Sequence, residues 1–162
     1  MSSEPIRDPK KDHLLTPQNS AFILIDYQPI QVSSIRSIDQ KELVFNIVHT
    51  AQAALNYKLP IVHSTVNVKT GKNKPPIQPI MDILKDHPTY DRTTINSWED
   101  VEFKKAVIAT GRKKLIMTAL WTEACLAFPA LDALQEGYEV YVVCRRGRRD
   151  LVGRPRSSPP SS

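Results

Sequence analysis

Cysteine is scarce in this chain, with two residues, Cys125 and Cys144, among 162. That excludes a disulfide framework and makes a reduced, cytosolic setting the default expectation. No apolar run is long enough to span a bilayer, and no apolar signal segment follows Met1. No internal repeat is visible, so solenoid architectures are set aside. Metal-ligand patterns are missing too: His63 has no second histidine or cysteine at ligand spacing.

An even spread of charge is also absent. The net charge is +5, but of the 22 basic residues six are arginines between positions 145 and 162, where Asp150 is the only one of the 17 acids. Residues 1–144 therefore hold 16 of each sign, and the basicity belongs to the tail. That tail, rich in Arg, Pro and Ser, reads as disordered and has no aromatic residue for base stacking, so nucleic acid is not an expected partner.

What is present is an alternation of short apolar runs with amphipathic segments. Residues 1–13 are polar and read as a flexible arm. Ser20 to Asp26 is too short for a helix and ends in an acid, which predicts a central parallel strand with Asp26 at its carboxyl end. In an open α/β sheet that edge binds ligands, although an aspartate there also serves as a loop cap. Residues 27–38 read as a loop. Asp39 then caps a helix to about Tyr57, with Leu43, Ile47, Ala51, Ala54 and Leu55 at helical spacing and His49 as a surface or packing residue.

Residues 59–65 read as a second strand, 66–79 as a loop and 77–85 as a short helix broken at His87-Pro88. Thr89 to Trp98 is a β-prone connector. A helix from Glu99 to Thr110 follows, expected to turn Val101, Phe103, Ala106 and Val107 to the core and to stop at Gly111. A strand to Ala119, a helix to Gly137 and a strand from Tyr138 to Val143 complete the pattern. Such alternation calls for a parallel sheet covered on both faces, one domain in size.

The stretch 113–143 holds Cys125. Thr122 is placed to cap the helix, which puts the cysteine near its third position, where free N–H groups and the positive dipole end favour a thiolate. Pro129 lacks the N–H that would bond the Cys125 carbonyl, which predicts an irregular turn beside the cysteine. Position alone leaves two readings open: a nucleophile, or one more small apolar residue on a helix.

Four pieces in order, Phe22-Ile-Leu-Ile-Asp26-Tyr-Gln28, Arg92-Thr-Thr-Ile-Asn-Ser-Trp98, Lys113 through Trp121-Thr-Glu-Ala-Cys125, and Ala127-Phe-Pro-Ala-Leu through Gly137-Tyr-Glu-Val, resemble the isochorismatase-like cysteine hydrolases, closest to their YcaC-type branch. The resemblance implies a Rossmann-like three-layer α/β/α fold over residues 14–144 with a mainly parallel sheet. It makes Asp26 and Cys125 two members of a catalytic triad. Where most of the family has a lysine, Arg92 is the counterpart; an arginine stays protonated, so it orients and stabilises charge. Gln28, Trp98, Leu120 and Trp121 become substrate-binding or oxyanion residues, with the Leu120–Trp121 peptide expected in cis. The implied partners are a small amide-like substrate and further copies of the chain, without a membrane. No cofactor is implied, and the Asp-x-His metal element of nicotinamidase-like relatives is missing.

After Val143 the family pattern continues with an Asp-Ala segment, a helix, a strand and a closing helix. This sequence departs from it at Cys144, so the domain is expected to be C-terminally truncated, with 145–162 the product of a shifted frame or alternative splicing. The competing reading is accordingly an inactive member that binds a partner or a small ligand.

Overall fold

The computed structural model describes residues 6–143. The expected basic tail, 145–162, lies outside them. Five parallel strands form one sheet: β1 (Ser20–Ile25), β2 (Ile61–Val66), β3 (Thr89–Arg92), β4 (Lys114–Ala119) and β5 (Glu139–Val142), in the order β3-β2-β1-β4-β5. β1 is central, as its apolar sequence implies: all six of its residues are buried, paired from Ser20 with Lys114 to Ile25 with Ala119 on one side and from Phe22 with Ile61 to Ile25 with Ser64 on the other. A strand buried on both faces has no polar face to alternate with.

The helices supply the two outer layers. On one face Phe22 and Leu24 pack with Leu43, Ile47, Ala51 and Ala54 of α2 (Gln40–Asn56) and with Ile80 of α3 (Gln78–Ile83). On the other, Ala21, Ile23 and Ile25 meet Phe103 and Val107 of α4 (Val101–Ala109) and Ala130 and Ala133 of α5 (Ala127–Gln135). Burying each larger aliphatic or aromatic side chain is worth roughly 1.5–3 kcal/mol, so these two clusters hold the layers on the sheet. Asp39 caps α2 as expected, its carboxylate accepting from the N–H groups of Lys41 and Glu42 at 2.9 and 3.2 Å. Asp100 caps α4 by accepting from Phe103 N–H at 2.8 Å.

Several details differ from the sequence expectation. Residues 29–34 form a short helix, α1 (Pro29–Ser34), rather than a loop, with Pro29 at its start where its missing N–H costs nothing. The 89–98 connector contains β3 and a 3-10 turn (Ser97–Glu99). Val101, expected in the core, is 64% exposed, because it opens α4 on the outer side while Phe103 and Val107 turn inward. The arm is tied down in its described part: Asn19 Nδ2 donates to the carbonyls of Asp12 and Leu14 at 3.1 and 2.8 Å, and Lys114 Nζ donates to the His13 carbonyl at 3.0 Å.

The segment around Cys125 also departs from expectation. Residues Thr122–Leu126 form a π turn, preceded by Trp121 and without a side-chain cap, so Thr122 is not the N-cap. The N–H of Ala127 reaches back to the carbonyl of Thr122, five residues away. Widening of this kind sits next to Pro129, which cannot donate to the Cys125 carbonyl.

Candidate active site

The chain reverses its direction of winding between β1 and β4, and the groups of interest gather at the carboxyl ends of these strands and their neighbours. Asp26 directly follows β1. Its backbone is left-handed, φ 62°, a conformation aspartate tolerates better than most residues. Its N–H donates to the Ser64 carbonyl at 3.0 Å and its carbonyl accepts from Gln28 N–H at 2.9 Å. The carboxylate is thereby carried on a fixed turn.

Arg92, the last residue of β3, grips that carboxylate with both terminal nitrogens: Nη1 to Oδ1 at 2.7 Å and Nη2 to Oδ2 at 2.8 Å. Neither side chain is exposed. A buried ion pair is tolerated better the more of its remaining hydrogen-bonding groups are satisfied. Here Nη1 additionally donates to Ser64 Oγ and the Thr65 carbonyl, both at 3.1 Å, and Nη2 to the Ile95 carbonyl at 2.9 Å, while the buried Nε has no partner among the described residues. Ser64 and Thr65 lie toward the carboxyl end of β2, so three strands converge on one guanidinium.

Cys125 completes the cluster from the π turn after β4. Its side chain is buried, with Asp26 and the backbone N–H of Trp121 near enough to act on the thiol. The sequence expectation of a favoured thiolate does not hold. Burial first, then the charge of Asp26, push the thiol up to about 11, against the smaller opposing pull of the Trp121 N–H and Arg92. The reason is local: α5 begins at Ala127, so Cys125 precedes that helix instead of occupying its third position. The resting group is a neutral thiol beside a carboxylate.

The four further residues singled out in the sequence separate. Leu120 is buried in the α2 face and its N–H donates to the Ile25 carbonyl at 3.2 Å, so it has no donor left for a substrate. The Leu120–Trp121 peptide is cis. Gln28 is fully buried, and its carboxamide fastens the following loop: Nε2 donates to the Val66 and Lys74 carbonyls at 3.1 and 2.7 Å, and Oε1 accepts from Val66 N–H at 3.0 Å. Trp98 belongs to the core cluster of Cys125, but its ring packs edge-on against Phe103 and Tyr138 and its Nε1 donates to Glu136 at 3.0 Å. Trp121 alone of the four has its N–H near the sulfur and a half-exposed side chain.

Ser64 was missed in the sequence because a serine inside a strand carries no signal of what lies beside it. His63 is buried, and its Nε2 has no hydrogen-bond partner among the described residues. His49 is on the surface, stacked against Phe45 with ring centroids 3.9 Å apart. Among the described residues no three His, Cys, Asp or Glu side chains group as a metal site. No helix of the described chain is long and apolar enough to cross a membrane.

Comparison with known proteins matches most of the chain. The isochorismatase domain model matches residues 20–144. The "Probable hydrolase YcaC" of Escherichia coli is 36% identical over 130 residues, covering 80% of this chain and 62% of that protein. The structure of YcaC from Pseudomonas aeruginosa with hexane-2,5-diol and covalent acrylamide superposes with a TM-score of 0.75 at 34% identity, over 80% of this chain and 64% of that one. That of the Escherichia coli YcaC gene product, described as an octameric hydrolase of unknown specificity, gives 0.76 at 34% identity, over 88% and 66%. A Pseudomonas putida isochorismatase, at 18% identity and a TM-score of 0.69, shares the fold over 82% of this chain and 73% of that one. This chain thus spans just under two thirds of the length of its YcaC relatives.

Proposed function

This chain belongs to the isochorismatase family, and we propose that it is a cysteine hydrolase that cleaves the C–N bond of a small amide-like substrate. The observation that carries the reading is the buried Cys125 thiol facing a carboxylate that Arg92 holds by both oxygens.

In this reading Cys125 Sγ attacks the carbonyl carbon while its proton passes to Asp26. A thiol pushed up to about 11 is not preformed as thiolate at neutral pH, so attack and proton transfer are coupled. Arg92 does not exchange protons; it fixes the carboxylate, and its bonds to Ser64, Thr65 and Ile95 remain when Asp26 takes up the proton. Negative charge on the carbonyl oxygen is met by the Cys125 N–H and by that of Trp121, which turns from the sulfur once the sulfur has bonded to carbon, since that of Leu120 is committed to Ile25. Collapse breaks the C–N bond, Asp26 returns its proton to the leaving nitrogen, and water cleaves the thioester. A reduced cytosolic setting would keep such a thiol free.

A second reading, an oligomerising protein without catalytic turnover, is favoured by one feature. Phe128, Leu131 and Leu134 line up along the outer side of α5 and are all exposed, next to β5 at the open edge of the sheet. Assembly with further copies, as in the octameric Escherichia coli relative, would cover them in either reading.

The test is to incubate the protein with a panel of small primary amides and measure ammonia release, alongside iodoacetamide labelling mapped by mass spectrometry. Labelling of Cys125 that accelerates from pH 7 to pH 10, together with turnover lost in Cys125→Ser and kept in Cys144→Ser, supports the hydrolase. Turnover kept in Cys125→Ser overturns the nucleophile assignment.

A further inference from the structure

We propose that Trp121 forms a size-limiting wall of the Cys125 site, and that Ser34 on α1 is the positioning residue that holds the wall in place. The inference rests on Cys125 being the reactive thiol and adds to that reading what limits access to it.

Trp121 is anchored at two points. Its backbone N–H lies near enough to the Cys125 sulfur to act on the thiol, which places the residue beside the reacting atom. Its indole reaches away to α1, where Nε1 donates to Ser34 Oγ at 2.5 Å. Ser34 is in turn oriented, because its own hydroxyl donates to the Gln31 carbonyl at 2.7 Å. Gln31 is buried, and its Oε1 accepts from Asn73 Nδ2 at 3.2 Å, so α1 is itself fastened to the 66–77 loop. The result is a rigid ring running from the sulfur to a separately anchored helix.

The Cys125 thiol is well shielded, the residue being 7% exposed, whereas Trp121 is 40% exposed. An indole free to rotate would admit ligands of many shapes by swinging aside. One hydrogen-bonded at its far end excludes branched or ring-bearing groups next to the sulfur and admits short, flat carboxamides. Ser34 does this without touching substrate, and its exposed position makes it removable without disturbing the core.

The experiment compares alkylation of Cys125 by a small reagent, iodoacetamide, and a bulky one, N-phenylmaleimide, in the parent chain and in Ser34→Ala, Trp121→Phe and Trp121→Ala. In the first reaction a C–S bond replaces the C–I bond and iodide leaves; in the second the sulfur adds across the maleimide double bond, whose other carbon takes up a proton. The bulky-to-small rate ratio should rise by about tenfold or more in Trp121→Ala and by a few-fold in Ser34→Ala and Trp121→Phe, the range steric pockets impose. Iodide quenching of tryptophan fluorescence should increase in Ser34→Ala, since the other tryptophan, Trp98, is buried. A ratio unchanged in all three variants, with Cys125 still reactive toward iodoacetamide, overturns the wall alone. A Cys125 that neither reagent modifies even in Trp121→Ala removes the nucleophile reading and the wall with it.

Discussion

Arg92 and Asp26 meet as fork and fork, Nη1 on Oδ1 at 2.7 Å and Nη2 on Oδ2 at 2.8 Å, with neither side chain reaching solvent. Their positions are 66 residues apart in the chain, so the pair also ties the ends of β1 and β3 across the strand between them. Arg92→Ala leaves the Asp26 carboxylate buried without its counter-charge, and breaking a buried pair in this way costs roughly 3–5 kcal/mol. Urea denaturation should show that loss as a lower midpoint. Arg92→Lys restores the charge but not the two-pronged geometry, so it should fall between the two. An Arg92→Ala protein as stable as the parent would show that the pair does not hold the strand ends.

Asp26→Asn separates two consequences that a merely structural carboxylate would not. The charge of Asp26 is the second cause, after burial, of the raised Cys125 thiol, and Arg92 pulls the other way. Removing the negative charge should therefore move the midpoint of Cys125 alkylation below about 11, and a midpoint lower by a single pH unit gives about tenfold more thiolate at neutral pH. Amide hydrolysis should fall in the same variant, because the proton acceptor is gone. Alkylation rates across roughly pH 7 to 11, taken where circular dichroism shows the variant folded, measure the first effect. A midpoint that does not move would mean that Asp26 does not act on the thiol.

The sheet was legible in the sequence because β1, β2 and β4 are apolar runs whose lengths fit strands, and because Asp39 and Gly111 mark helix ends by their own chemistry. Asp26 and Cys125 stood out by position, as a strand-end acid and a cysteine near a helix start, but only the ordered family pattern joined them with Arg92. Nothing in their separate surroundings says that three strand ends converge. Residues 29–34 were misjudged because polar Gln, Ser and Pro look like a loop until Val32 is buried against α2. The state of Cys125 was misjudged for a different reason: spacing suggested a helix N-terminus, whereas a π turn intervenes, and burial outweighs any helix dipole at that place.

Phe128, Leu131 and Leu134 stand on the outer side of α5, turned away from Ala130 and Ala133, which pack on the sheet. Three exposed apolar side chains along one helix face are a surface that association would bury. Leu131→Glu places a charge in the middle of that stripe and touches nothing in the core. Light scattering should report a smaller assembly than the parent chain forms, with unchanged circular dichroism. A parent and variant of equal mass would show that this face is not an interface.

His63 gives the fold a dependence on acid. It lies on β2 beside Leu24 of β1 and Thr89 of β3, buried, with Nε2 unpartnered among the described residues. Burial, and then the charge of His87, lower it to about 4 from 6.5. The unfolded chain therefore binds the proton more readily than the folded one between those two values. The contribution to stability is fully present above about pH 6.5 and is lost progressively as the pH falls toward 4, with a slope near 1.4 kcal/mol per pH unit and a total on the order of 3 kcal/mol. Urea midpoints measured from about pH 7.5 down to pH 4 should fall through this window in the parent chain. In His63→Leu, which fills the same buried place with no titrating group, the decline should be shallower by about that slope. If parent and variant decline in parallel, the acid sensitivity belongs to another group, and His63 enters the folded chain without the penalty its burial implies.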